Sequence, residues 1–405
     1  MRICVLATEY PSITETFISE PIQWLRSAGH DVSVIAHKRG NLPGSSLATH
    51  PATIVPLWHS HAAKLAAAAG APASTLRLAG AARRWARVAG GSAAETLTRA
   101  MRPELREADC VLAHFGPTGV AWLAAAGLAE RPYAVYFHGY DATEVLRSRP
   151  DYYRTLAASG ATALTQSEFM RGKLVTAGFD RAQVKLVPYG VTPELARQAL
   201  RGDAGPPTML TIARLVEKKG LADSLTAFAR AQPELGGRWR YRIVGDGPLE
   251  GDLKRLTSEL GVEELVDLSG ALARPETLEA IAAGRIFVLA SKTAPSGDTE
   301  GSPVSILEAQ TMGLPVISTL HAGIPETLPP TAAAEGYLVA EGDIEGLRRA
   351  IVRLATNDAA RAEWADACRS HAQRYHSAEA HVEALVRALR GAAVPRLPAP
   401  AAMAR

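Results

Sequence analysis

Short apolar runs rich in β-branched residues alternate along the chain with longer stretches whose apolar positions fall at helical spacing. The opening reads "RICVLA", then a helix predicted over Phe17 to Ala28 and closed by Gly29, then "DVSVIA", which is a βαβ beginning. Further strands are predicted at "CVLAHF", "YAVYFHG", "ATALTQS" and "VKLVPYG". Strands separated by helix-length segments predict a parallel sheet with helices on both faces. After "LVPYG" the strand character is lost and "VTPELARQALRGDAGPP" ends in Gly205, Pro206 and Pro207, so residues 191–207 are predicted to be a linker. The alternation restarts with "TMLTIAR", a helix near Leu221 to Gln232, "RYRIVGDG", a helix near Leu249 to Leu260, "VDLSG", "IFVLAS", a helix over Pro303 to Met312, and "PVIST". The expected fold class is therefore α/β, with two doubly wound domains at 1–190 and 208–375 and the active cleft between them. Beyond Asp343 only helical patterns occur, Ile344 to Ala355 and a last one near Ala378 to Arg390. A C-terminal helix over 376–391 is expected to cross back to the first domain, and the Pro/Ala-rich 392–405 is expected to be a disordered tail.

Length and composition fit this picture: 405 residues, 47% apolar and 21% charged, suit two soluble domains with cores of their own. Cys4, Cys110 and Cys368 lie far apart and without metal-ligand spacing, so buried thiols in a reducing cytosol are expected. "RICVLA" runs straight into "TEYPS" without the small-residue exit of a signal peptide, and no run of about 18 apolar residues occurs. A cytoplasmic location is expected, with any membrane contact peripheral. Charge refines this. Residues 1–190 hold 20 Lys and Arg against 14 Asp and Glu, whereas the remainder holds 24 against 27. A basic first half favours an anionic partner, a phospholipid surface or a phosphorylated substrate; no nucleic-acid partner is expected. Within it, Leu57 to Glu107 carries eight basic residues against three acidic ones, either as a basic surface lying on a membrane or as ordinary packing helices.

The clearest candidate chemistry is "TEGSPVSILEAQTMG", residues 299–313. Ser302 before Pro303 reads as an N-cap followed by proline at the first helical position, which leaves backbone N–H groups around Gly301, Ser302, Pro303 and Val304 pointing out of a helix end. Such an end attracts anions and hydroxyl oxygens. Glu300 lies just before it and Glu308 more than a turn inside, two carboxylates placed to accept from polyol hydroxyls, as a nucleotide sugar would require; otherwise they are a loop charge and a solvated helix position. In "IARLVEKKG", Arg214 follows a strand while Lys219 and Gly220 open the next helix, so two cations can clamp a diphosphate. Glu217 and Lys218 read as solvated. In "YFHGYDATE", His138 stands at another strand end, as a substrate contact or a satisfied structural histidine. "VGDGPL" has a glycine turn without the full dinucleotide spacing, so NAD binding is not expected.

Together these stretches, with "VLATEYPSITETFI", "HFGPTG", "SEFMRGKL" and "HAGIPE", resemble the retaining glycosyltransferases of family 4, which have the GT-B fold. "YPSITETF" resembles the branch that builds exopolysaccharides, colanic-acid-type enzymes included. The resemblance implies that Glu300 approaches the donor sugar, Glu308 binds ribose hydroxyls, Arg214 and Lys219 hold the leaving diphosphate, and His138 lies near the transferred sugar. It also implies that amides of Gly301 to Val304 contact sugar and phosphate, and that backbone near Leu272 to Arg274 meets the nucleobase. Where many relatives have a glycine pair in the first loop, this chain has Thr14, Glu15 and Thr16, which become candidates for the acceptor side together with Asp141.

The implied reaction moves a sugar from a nucleoside diphosphate, UDP ahead of GDP, to a glycan acceptor such as a polyprenyl-diphosphate-linked oligosaccharide, with retention at the anomeric carbon. No Asp-x-Asp pattern occurs, so no metal and no other cofactor is expected. Asp141 is a candidate base only as a hypothesis. A small soluble metabolite is the alternative acceptor, and a nucleotide-sugar epimerase, a sugar phosphorylase or a non-enzymatic sensor is the alternative on the same scaffold.

Overall fold

The computed structural model describes residues 1–12, 15–40, 53–54, 73–192, 194–195 and 205–398. They form two compact units: Met1–Gln166 with Met170–Val187 and His381–Arg405, and Ser167–Phe169 with Pro188–Ala380. In the first unit, β1 (Arg2–Tyr10), β2 (Asp31–Arg39), β3 (Thr53–Ile54), β4 (Cys110–His114), β5 (Tyr133–Tyr136), β6 (Thr162–Thr165) and β7 (Val184–Leu186) form one parallel sheet. Its order is β3-β2-β1-β4-β5-β6-β7, so the strand order reverses between β1 and β4, where Leu6 pairs with Ala113. β4 and β5 are buried at every position, as parallel strands covered on both faces must be.

The second unit repeats the scheme with β8 (Thr208–Ile212), β9 (Arg240–Val244), β10 (Val266–Gly270), β11 (Ile286–Leu289), β12 (Val316–Thr319) and β13 (Leu338–Val339), in the order β10-β9-β8-β11-β12-β13. Here the reversal lies between β8 and β11. Open α/β sheets bind ligands outside the carboxyl ends of the strands that flank this point. Arg214 leaves the end of β8, and the loop bearing Glu300 leaves the end of β11.

The predicted strands are all present, and the helices start or stop within three residues of their predicted limits: Thr16–Ser27, Leu221–Leu235, Glu250–Glu259, Val304–Met312, Ile344–Thr356 and Ala378–Arg390. The two-residue strands β3 and β13 are too short to show a period in sequence. The last helix has its residues from His381 onward in the first unit. Residues 392–398, expected to be disordered, are packed instead: Ala393 O accepts from Tyr133 N–H at 2.9 Å, Arg396 N–H donates to Ser159 O at 2.8 Å, and Pro395 and Pro398 are buried. An extended proline-containing segment can be held by backbone hydrogen bonds without any apolar period. Of the expected linker, Val191 is described and donates to His376 O at 2.9 Å, while 196–204 lie outside the described residues, as do 399–405. All three cysteines are buried, and burial pushes each thiol up to about 12, so they are inert at neutral pH. Among the described residues no helix is long and apolar enough to cross a membrane.

Candidate active site

In the second unit, the turn after β8 sets two lysines against the Glu300 carboxylate. Gly220, at φ +59°, ends this turn; a Cβ there would fall 1.7 Å from Ala290 O, so only glycine lets the lysine turn close on the end of β11. Lys219 Nζ lies 2.9 Å from Glu300 Oε1 and Lys218 Nζ 3.8 Å from it. Lys218 also pairs with Asp298 at 2.9 Å and reaches Thr299 O at 3.4 Å. It is not the solvated charge expected from sequence, because the loop after β11 folds back over it. Burial works to raise the Glu300 carboxyl, but the combined pull of Lys219 and Lys218 prevails and holds it below the ordinary carboxylate range. Glu300 is therefore an ionised carboxylate at 7% exposure, beside the buried hydroxyls of Thr299 and Ser302, for which the described residues supply no hydrogen-bond partner.

The helix after this loop spans Val304–Met312 and has Pro303, with ψ 116°, as its N-cap residue. Ser302 thus lies one position before the cap and makes no capping hydrogen bond, which differs from the predicted Ser–Pro start. The consequence for chemistry is unchanged: without a side-chain cap, the first N–H groups of the helix lack an intrahelical partner. Inside the helix, Glu308 is buried and meets Arg274 Nη1 at 2.5 Å. Burial raises its pKa and Arg274 pulls it part of the way back. Arg274, expected to contribute backbone alone, therefore also contributes its guanidinium. Leu272 is half-buried and its carbonyl accepts from Thr277 Oγ1 at 3.4 Å. Arg214 is exposed, and the glycine turn 245–247 carries it: Leu215 N–H donates to Asp246 O at 2.7 Å, and a Cβ on Gly245 or Gly247 would strike the backbone of Ala213 or Leu215. The "VGDG" pattern is thus a backbone clamp on the Arg214 segment.

Gly323 holds the Glu300 loop from behind. A Cβ there would lie 2.0 Å from Gly301 O and 2.8 Å from Ser167 Oγ. Gly323→Ala is expected to displace Gly301 and to cut turnover at this site about 10²-fold, the loss that a displacement of about 1 Å at a reacting group produces. Wild-type turnover in this variant, with an unchanged melting temperature, would show that the loop tolerates the methyl.

The first unit gathers a second set of residues at the ends of β1, β4 and β5. His138 is buried with its ring 4.6 Å from those of both Phe17 and Phe115 and 4.9 Å from Tyr136. Its Nε2 lies 3.3 Å from Nδ1 of His114, a histidine that no sequence signal singles out. Burial and then His114 push His138 well below its ordinary value, and burial pushes His114 down to about 3, so both rings are neutral. Asp141 is wholly buried, and both its carboxylate oxygens are taken by backbone: Oδ1 accepts from His138 N–H and Oδ2 from Gly116 N–H, each at 2.7 Å. The second bond pins the turn at Phe115, whose φ of +69° is a conformation that costs a bulky residue roughly 1–3 kcal/mol. Glu15 stands at the N-cap of helix Thr16–Ser27 without capping it, and its buried Oε2 has no hydrogen-bond partner among the described residues. Burial, reinforced by Glu9, lifts its carboxyl to about 7. Thr16 opens the same helix, half-buried, and Thr14 lies outside the described residues.

Residues 14–190 match the family model described as a glycosyl transferase 4-like domain, and residues 194–371 match that of the glycosyl transferases group 1. The chain belongs to this glycosyltransferase family, and its two units have the GT-B fold. It is similar to WcaL of Escherichia coli K12, which carries a colanic acid biosynthesis glycosyltransferase name, with 35% identity over 256 residues. That match covers 62% of this chain and 62% of the relative, a little under two thirds of its length. WcaL of Salmonella typhimurium LT2 is 28% identical over 88% of this chain and 91% of its own. Among solved structures, Anabaena Alr3699/HepE in complex with UDP and glucose superposes with a TM-score of 0.68 at 18% identity, covering 96% of this chain and 100% of that one.

Proposed function

We propose that the protein transfers a sugar, with retention at the anomeric carbon and without a metal ion, from a nucleoside-diphosphate sugar to a hydroxyl of a glycan acceptor. The observation that carries this reading is the ionised, buried Glu300 set 2.9 Å from Lys219 at the strand-order reversal of the second unit, one loop before an uncapped helix end. In the reaction the anomeric C–O bond to the diphosphate breaks and its electron pair leaves with the phosphate oxygen. Lys219, Arg214 and the amides at Val304 offset that charge. The acceptor oxygen forms its bond on the same face, and its proton passes to the leaving phosphate. Glu300 accepts from donor-sugar hydroxyls and Glu308, oriented by Arg274, from the ribose, while Leu272 and Arg274 border the nucleobase.

In the first unit, Glu15, Thr16 and His138 form the acceptor side. Asp141, with both oxygens bound to backbone N–H groups, orients the His138 turn rather than taking a proton. Glu15 carries a pH prediction: kcat/KM is expected to rise as pH climbs through about 7, where this carboxyl ionises, and Glu15→Gln is expected to remove that limb. An identical pH profile in the variant would exclude Glu15 from the acceptor side.

Relatives named for colanic acid biosynthesis favour a lipid-linked oligosaccharide acceptor in exopolysaccharide assembly over a soluble metabolite. A hollow of about 600 Å³ in the first unit supports this, since Arg171, Arg181, Lys185 and Arg387 line it together with Val184 and Leu186. Each such cation is worth about 1 kcal/mol near an anionic leaflet. Arg181→Glu with Lys185→Glu is expected to weaken binding to phosphatidylglycerol vesicles at least about tenfold. A wild-type protein indifferent to such vesicles would remove the membrane reading.

The function itself is tested by incubating the protein with UDP- and GDP-sugars singly, UDP-sugars first, and measuring released nucleotide, with Glu300→Gln alongside. Release from one donor, lost in the variant, is the expected result. A protein that neither releases nor binds UDP or GDP would overturn the assignment.

A further inference from the structure

Glu300 is held at its backbone as well as at its carboxylate. Its N–H donates to His321 Nε2 at 3.1 Å. His321 is 1% exposed, and its Nδ1 lies 2.6 Å from Glu341 Oε1. Since Nε2 accepts, the imidazole proton is on Nδ1 and is donated to Glu341. Glu341 in turn accepts from Thr293 N–H at 2.8 Å and lies 3.4 Å from Thr293 Oγ1. Thr293 and Glu300 are near the two ends of the loop that leaves β11, so one carboxylate holds the near end directly and the far end through an imidazole.

The turn that aims His321 is itself fixed. Thr319 Oγ1, at the end of β12, donates to Ser291 O, and His321 O accepts from Ile324 N–H at 2.9 Å. Between them Ala322 adopts φ +48°, a left-handed conformation uncommon for a residue with a side chain. Each hydrogen bond in the chain from Glu341 to Glu300 joins groups distant in sequence, and the central ring is sealed from water, which strengthens it.

We propose that His321, oriented by Glu341, is a positioning residue that sets the Glu300 loop for sugar transfer. This rests on Glu300 being the donor-facing carboxylate. Neither His321 nor Glu341 touches the donor in this scheme; they act by fixing where the Glu300 backbone, and hence its carboxylate, lies.

The test has two independent readouts. The first is amide hydrogen exchange of peptides covering 296–303 in wild type, His321→Ala, His321→Gln and Glu341→Ala. A glutamine amide offers an acceptor and a donor side by side, as the neutral imidazole does. Faster exchange of the Glu300 amide in His321→Ala and Glu341→Ala, with protection kept in His321→Gln, is expected; protection unchanged in His321→Ala overturns the proposal. The second is nucleotide release from UDP-glucose and GDP-mannose. His321→Ala is expected to lower kcat about 10²-fold while the Kd values of UDP and GDP stay within about threefold, and His321→Gln to recover most of that loss. The double variant His321→Ala/Glu341→Ala is expected to lose no more than His321→Ala alone, as members of one hydrogen-bonded chain do; strict additivity counts against the coupling. Glu300→Gln separates the two claims: full turnover in that variant removes the donor-site reading, while the exchange data still decide whether His321 holds the loop.

Discussion

Lys219→Met is expected to lower sugar transfer about 10²–10³-fold, the loss seen when one group aimed at developing transition-state charge is removed. Lys219 lies closer to Glu300 than any other cation described, 2.9 Å against 3.8 Å for Lys218, and it stands at the end of the turn that leads through Gly220 into helix Leu221–Leu235. The leaving diphosphate gains charge as the anomeric bond breaks, so kcat should fall more than KM rises. Lys218→Met should cost less, about tenfold in transfer, because that ammonium already has Asp298 at 2.9 Å. Steady-state kinetics with the donor found in the panel, together with circular dichroism to confirm folding, decides this. Equal losses in the two variants would show that the pair acts only as bulk positive charge.

Asp141→Ala is the substitution expected to damage stability most. It strands the buried N–H groups of Gly116 and His138, each at a cost of about 1–3 kcal/mol, for a total of roughly 2–6 kcal/mol. A unit of this size loses about 2–4 °C per kcal/mol, so a fall of roughly 4–24 °C should be visible by calorimetry as an earlier transition. Asp141→Asn should recover part of the loss, since one amide oxygen can serve one N–H while its NH2 faces the other. The pH dependence has a definite sign. Burial lifts the Asp141 carboxyl to about 6 against the incoming backbone N–H bonds, above its ordinary 3.8. Between these values the folded state binds the extra proton. The part of its contribution to stability that is linked to this extra proton is therefore full below about pH 3.8 and is lost as pH rises through about 6, while the two backbone N–H bonds remain. Glu15 adds a second decline of the same sign that ends near pH 7. Asp141→Asn should flatten the lower window; an unchanged melting temperature in Asp141→Ala would contradict the clamp.

Strand alternation and the glycine stops made both doubly wound units readable from sequence, because central parallel strands must be apolar at every position and so announce themselves. Glu300 and Glu308 could be proposed as a pair from sequence because both sit in one continuous stretch. Lys218 was not, since a charge run looks solvated until the loop carrying Asp298 and Thr299 folds over it. His321 and Glu341 stand 21 and 41 positions beyond Glu300, with nothing in their surroundings to pair them with it. Asp141 looked like a candidate base because its partners are backbone groups, which leave no mark in sequence. Gly323 and Gly220 have the same property: what they make room for is a carbonyl oxygen from another loop.

The most direct test of the donor site in the second unit is calorimetric titration of UDP and GDP into wild type, Glu308→Ala and Glu15→Gln. The expected result is one-to-one binding of one nucleotide to wild type and to Glu15→Gln, weakened at least about tenfold in Glu308→Ala, where the carboxyl proposed to accept from the ribose is gone. Binding that is indifferent to Glu308→Ala, or that disappears in Glu15→Gln, would contradict the placement of the donor.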